Sequence, residues 1–247
     1  MSTTSTLQQP ILAWIGRIGA AGADEVGRRF GVSVPAARAR LAACERAGLL
    51  EAVKLLHRQP ALYVATRAGL RAAGLAELKP CRVSPGGFAH LREVARAAVA
   101  LEQALPGVAV VGERELRVWE RAAGRPLASA ELGLALDGGY ARHRPDLVLW
   151  PDGRAGDAGV PAVAIEVELA VKAAPRLAAI VRGWARSRLV VAVVYYATPE
   201  ADRALRRAVA DEQAQSTVHL LGIDRLGELP DELAWPTRST SPVPSAA

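Results

Sequence analysis

The sequence predicts an α/β (α+β) chain in two parts: a small helical head with a strand ribbon, and a larger body built on a mixed sheet with helices on its faces. Three observations carry this. Apolar residues of the first 74 positions recur at helical spacing three times and then give way to two short extended runs. A breaker-rich segment follows, with Lys79-Pro80, Ser84-Pro85 and Gly86-Gly87. Beyond it, apolar runs of strand length alternate with helical stripes, the pattern of helices packed on a sheet.

In the head, Ile11, Leu12, Ile15 and Ile18 form one apolar stripe and predict a first helix that ends near residues 19–23. Val26 and Phe30 mark a short second helix, and Gly31 stands where a helix C-terminus favours a left-handed residue. Ser33 is an N-cap candidate with Pro35 in the first turn, and Ala37, Leu41 and Cys44 face inward, so a third helix runs from about Val34 to Ala47. Leu49 to about Gln59 and Ala61 to Val64 predict a two-stranded ribbon about the Gln59-Pro60 turn, and Ala65 to Ala73 is helical again. Three helices followed by a ribbon is the order of a winged helix-turn-helix, whose third helix enters the DNA major groove while the ribbon follows the phosphates. Arg38, Arg40 and Arg46 on the third helix and Lys54, His57 and Arg58 on the ribbon are the candidate DNA-binding residues.

Charge agrees with this placement. The net charge is +6, and residues 1–74 hold ten Lys+Arg against four Asp+Glu, while residues 75–247 hold 21 of each. A basic head and a neutral body point to an anionic partner for the head, double-stranded DNA before others.

Composition excludes several classes. With 51% hydrophobic and 23% charged residues the 247-residue chain can bury a core. Its longest apolar run, Leu189 to Ala197, falls short of the roughly 20 residues of a bilayer-crossing helix. Met1 to Gln9 has neither the charge nor the apolar stretch of a secretory leader, so no membrane association and a cytoplasmic location are expected. Cys44 and Cys81 are too few for a disulfide framework or a thiolate metal cage. Only Lys54, Lys79 and Lys172 among 31 basic residues are lysine.

These signals divide the chain into a head at 1–74, a linker at 75–87, a body at 88–229 and a Pro/Ser/Thr-rich tail at 230–247 expected to be disordered. In the body, a helix is expected over about Phe88 to Leu105, an extended run over Val108 to Trp119, and strands over Asp146 to Trp150 and Ala162 to Leu169. Then come a helix from Pro175 to about Ser187, a buried strand over Leu189 to Ala197, a helix from Pro199 to about Glu212 and a last strand over Thr217 to Ile223.

Chemistry concentrates in two of these strands. Alternation puts Ala164, Glu166 and Glu168 on one face with Asp146, Val148 and Trp150, and leaves the other face apolar. If the two strands close symmetrically as a hairpin, Asp146 falls opposite Glu166. Facing carboxylates repel, so a cation belongs between them, either a divalent metal or a nearby Lys or Arg. Arg142, Arg144 and Lys172 are the side chains that would make this a structural salt-bridge cluster. His143 adjoins the acids as an ordinary hydrogen-bonding residue, and His57, His90 and His219 show no metal-ligand spacing.

Arg144-Pro145-Asp146, Glu166-Val167-Glu168 and Lys172 resemble the active-site pattern of the PD-(D/E)XK nuclease superfamily. The nearer resemblance is to the replication-relaxation family of plasmids and other mobile elements. It includes Gly112-Glu113-Arg114-Glu115-Leu116-Arg117, His143-Arg144-Pro145-Asp146, Ala164-Ile165-Glu166-Val167-Glu168-Leu169 and Lys172, and covers nearly the whole chain. It implies a restriction-endonuclease-like body behind the winged helix, and a role in plasmid replication and DNA relaxation. It further implies Asp146, Glu166, Glu168 and Lys172 as catalytic residues, and Mg²⁺ held by Asp146 and Glu166, with Glu113 either a further ligand or simply the partner of an arginine. The pattern departs in one place: Glu168 stands where the superfamily usually has Lys, and Lys172 follows four residues later.

Two function classes therefore stand open, a DNA-binding replication accessory with a nuclease-like body that does not cut, and a Mg²⁺-dependent nuclease or nicking enzyme. A ligand-sensing transcription factor is a third class without a sequence signature. A homodimer and contacts with replication proteins are left open.

Overall fold

The computed structural model describes residues 7–231 and 233, apart from 56, 58, 135–139, 152, 158 and 161. The chain is a mixed α/β structure. The expected tail at 230–247 falls almost wholly outside the described residues, as does Arg58.

The head follows its pattern closely. Helices α1 (Gln8–Ile18), α2 (Ala23–Phe30) and α3 (Val34–Arg46) are joined by tight turns. Gly31 closes α2 at φ +64°, and the Ser33 hydroxyl accepts from the Ala36 N–H to open α3. The ribbon is β2 (Leu50–Val53) paired antiparallel with β3 (Leu62–Ala65), and a two-residue β1 (Ala20–Ala21) adds a third strand in the order β1-β3-β2. Two residues are too few for periodicity to announce them. Helix α4 (Arg67–Ala72) starts at Thr66, whose hydroxyl donates to the Gly48 carbonyl at 2.7 Å and accepts from the Gly69 N–H at 3.0 Å.

Residues 75–87 contain neither helix nor strand, as their breakers predict, yet Leu75 and Leu78 are buried. The body opens with α5 (Phe88–Ala104) and β4 (Val108–Gly112). Here the expected extended run to Trp119 is wrong, because Glu113–Ala123 is a helix, α6. Glu113 and Glu115 favour its N-terminus and Gly124 ends it at φ +66°. Of its three buried positions two are carboxylates, Glu115 and Glu120, beside Leu116, so there is no apolar stripe to read. A two-stranded ribbon, β5 (Ala130–Leu134) with β6 (Tyr140–His143), was likewise not expected.

The remaining elements fall where the pattern puts them: β7 (Leu147–Pro151), β8 (Ala162–Glu168), α7 (Ala174–Arg186), β9 (Val190–Ala197), α8 (Pro199–Asp211) and β10 (Val218–Gly222). The sheet runs β10-β9-β8-β7-β4, parallel from β8 to β10 and antiparallel across β8, β7 and β4. Helices α7 and α8 are the crossovers that parallel pairing demands.

Both sheet faces are covered. On one, Leu147, Leu149, Val163, Ile165 and Val194 share a single core with Val94, Ala98 and Leu101 of α5 and with Ile11, Ile15, Leu41 and Leu50 of the head. On the other, Val148, Trp150, Ala164 and Tyr195 pack with Leu177, Ile180 and Trp184 of α7 and Leu205 of α8. The head docks through α1 on α6 and β4 and through α2 and β1 on α5. The approach is close: a Cβ on Gly112 would lie 2.7 Å from the Arg17 carbonyl oxygen. Charge lines the same seam, with Arg17 on Glu115 (3.4 Å), Arg92 on Glu25 (3.7 Å) and Arg29 on Glu102. Among the described residues no helix is long and apolar enough to cross a membrane.

Candidate functional site

The β7–β8 hairpin closes in the register Leu147↔Ile165, Val148↔Ala164. Carried one residue further, that register sets Asp146 against Glu166, the juxtaposition expected from the sequence. Because β4 is antiparallel to β7 and ends at Gly112↔Leu147, the first turn of α6 reaches the same end of the sheet, where the Glu113 N–H donates to the Asp146 carbonyl at 3.0 Å. One sheet end thus gathers Glu113, Asp146, Glu166 and Glu168.

Each of the three strand carboxylates is met by a basic side chain of the chain, and two of these come from far away in sequence. Asp146 Oδ1 meets His90 Nε2 of α5 at 3.0 Å, and its Oδ2 accepts from the Val167 N–H at 2.8 Å. Glu166, 4% exposed, meets His143 Nε2 of β6 at 2.6 Å. Glu168, 8% exposed, pairs with Lys172 through the Lys172 ammonium. Trp184 packs edge-to-face with the His143 ring, centroids 5.9 Å apart.

Titration behaviour follows from this packing. The hydrogen bond to Asp146 raises His90, outweighing its burial. Burial opposes a charge on His143, but the Glu166 carboxylate beside it raises it on balance. Burial pushes the Glu166 carboxyl up from its ordinary value, with His143 pulling the other way. Burial lowers the Lys172 ammonium against the pull of Glu166 and Asp146. Tyr195, wholly buried and near Glu166, is raised well above the usual phenol range.

The expected salt-bridge partners distribute differently. Arg144 turns away from the acids to Glu120, Nε to Oε2 at 2.9 Å, where Glu120 also accepts from the Leu127 N–H at 3.0 Å. That pair pins the loop before Asp146 to α6. Glu113 pairs with Arg117 on its own helix. His90 and His143 are the residues that sequence reasoning set aside. His143 had a signal in its closeness to Asp146, while His90 lies 56 residues from its partner and had none.

On the head, Arg38 and Arg46 of α3 and Lys54 of the β2–β3 connection are exposed, and among the described residues none has an ion-pair partner. Arg40 is half-buried and donates to the Ala36 carbonyl of its own helix at 3.3 Å. These positions lie outside the acidic site.

Beside the acids opens a cleft of about 540 Å³ between residues 77–82, α5 and α6, reaching His90 and Asp146 at one end. Among the described residues no three His, Cys, Asp or Glu side chains are grouped as a metal cage would need. Carboxylate oxygens are nonetheless the donors a hard divalent cation takes, so the donor set fits Mg²⁺ in kind. The oxygens such an ion would use are here engaged by His90, His143 and Lys172. Compared with known proteins, the chain matches no family model, no curated protein and no solved structure.

Proposed function

We propose that this chain is a double-stranded-DNA-binding protein of the replication-relaxation type, in which a winged helix-turn-helix engages DNA and a nuclease-like body makes contacts without cutting. The observation that carries the reading is the division of the head's arginines. Arg17 and Arg29 lie on the seam with the body, and each is bound to a carboxylate there, Glu115 and Glu102. Arg38 and Arg46 project from the outer side of α3 with no such partner among the described residues, so their charge is free for phosphates. The order α1-β1-α2-α3-β2-β3 with sheet order β1-β3-β2 supports the winged-helix part. The resemblance supports the replication and relaxation role, acting in the cytoplasm and with replication proteins or a second copy of the chain as partners.

The body reads as inactive because its acids are spoken for. Glu168 stands in the usual lysine position and takes Lys172 for itself, while the two histidines bind Asp146 and Glu166. A second reading, a Mg²⁺-dependent DNA nuclease or nicking enzyme, is favoured by the convergence of Asp146, Glu166 and Glu168 at one sheet end. In it Asp146 and Glu166, with Glu113, would hold Mg²⁺, which when bound would polarise a phosphate and activate a water. Lys172 would leave Glu168 to steady the charge developing on the phosphate.

The test is incubation of supercoiled plasmid with the purified protein and Mg²⁺ or Mn²⁺, beside Asp146→Ala and Asp146→Asn, with a gel shift on the same DNA. Binding that survives in both variants, with no cutting in either metal, is the expected result. Metal-dependent cutting lost in both variants would establish the nuclease reading instead. No affinity for DNA at low salt would overturn both.

A further inference from the structure

The cleft beside Asp146 has a composition that neither reading uses. Its basic side chains, Lys79, Arg82, Arg114, Arg117 and Arg121, outnumber its acids, and its floor is apolar, with Leu78, Leu91 and Val94 among the lining residues. Of its three acids, Glu113 is taken by Arg117 and Asp146 by His90 and the Val167 N–H, while Glu77 is exposed and has no ion-pair partner among the described residues. Lys79, Arg82 and Arg121 are exposed, and among the described residues they have no ion-pair partner. Arg114 is tied to the Lys79 carbonyl and its buried Nε lacks an acceptor. Gly19, at φ +109°, makes room for this side chain, since a Cβ there would lie 3.2 Å from Arg114 Cδ. The result is an arginine-walled recess with an apolar base, in the size range of small-ligand pockets.

We propose that this cleft binds a phosphate-bearing ligand of nucleotide size, its phosphate against Arg82, Arg114 and Arg121 and its less polar part on the Leu78–Leu91–Val94 floor. Guanidinium groups pair with phosphate oxygens in a two-pronged geometry that a lone ammonium lacks, and four of the five basic groups are arginine. The ligand bridges elements of different origin, because 77–82 connects the head to the body while α5 and α6 belong to the body. Occupancy therefore stiffens the seam on which the head is carried. The same phosphate monoester chemistry is offered by a free nucleotide and by the 5′-phosphorylated end of a DNA strand.

Calorimetric titration of the full chain with dAMP, with a 5′-phosphorylated pentanucleotide and with its unphosphorylated twin separates the two sources. The expected result is saturable binding of at least one phosphorylated probe, with the unphosphorylated twin weaker by about tenfold or more. Arg82→Gln with Arg121→Gln weakens that binding by at least about tenfold while leaving the melting temperature of the free protein unchanged, since both side chains are exposed. Arg38→Gln with Arg46→Gln leaves it intact, so a failure of DNA binding at α3 and a failure of this site are told apart. Absence of binding by both phosphorylated probes, or equal binding by the Arg82/Arg121 variant and the parent, overturns the proposal.

Discussion

Ile15→Ala tests whether the head and body share one core in the energetic sense as well as the geometric one. Ile15 is 0% exposed and belongs to the cluster that also contains Leu41 and Leu50 of the head, Leu101 of α5 and Ile165 of the central strand. The substitution removes three carbons, about 2.4 kcal/mol at roughly 0.8 kcal/mol each. The cavity left in a close-packed interior brings the loss to about 3–4 kcal/mol. For a chain of this length each kcal/mol moves the melting temperature by about 2–4 °C, so a fall of about 6–16 °C is expected. Because α1 packs on α6 and β4 as well as on α4 and β3, the whole melting curve should move as one transition. Scanning calorimetry of the parent and the variant reads this directly. Two transitions, with only the smaller displaced by the substitution, would refute a continuous core and leave the head an autonomous unit.

Three further outcomes follow from particular contacts. Gly69→Ala drives a Cβ to 2.0 Å from the Leu49 carbonyl oxygen, a backbone atom that cannot yield, and should cost about 3 kcal/mol in urea denaturation, whereas Gly86→Ala, with nothing within 4 Å, should be near neutral. His90 and His143 are both raised in the folded chain, so the folded state holds their protons more tightly than the unfolded one. Their stabilisation is fully present below about pH 6.5 and is lost as pH rises through their folded values, so urea midpoints should fall from pH 6 to pH 8.5, and less steeply in His90→Gln/His143→Gln. Replacing Arg38 and Arg46 together by Gln should lower the slope of log affinity for duplex DNA against log salt by about 1.8, measured by fluorescence anisotropy, and an unchanged slope would place the phosphate contacts elsewhere.

Local signals determined most of the fold. The apolar stripe from Ile11 to Ile18, the Ser33 cap, the left-handed Gly31 and the buried run ending at Ala197 each encode their element within a few residues of themselves, so periodicity and turn chemistry suffice to find them. The hairpin register that sets Asp146 by Glu166 was legible in part, since alternation rules out the one-residue slips that would take Leu147 and Ile165 out of the core and symmetric closure picks this register among the rest. Helix α6 was not legible, because it buries Glu115 and Glu120 against Arg17 and Arg144, and those arginines arrive from other elements. The partners of the acids were hidden in the same way. Which cation answers each carboxylate depends on who is near in space, and only the packing of α5 and β6 over the sheet end brought His90 to Asp146 and His143 to Glu166. The sequence by itself determined where most of the strands and helices lie and that carboxylates would crowd one sheet end. The tertiary structure decided how that crowding is relieved, because electrostatic energy depends on distance through space and not on separation along the chain.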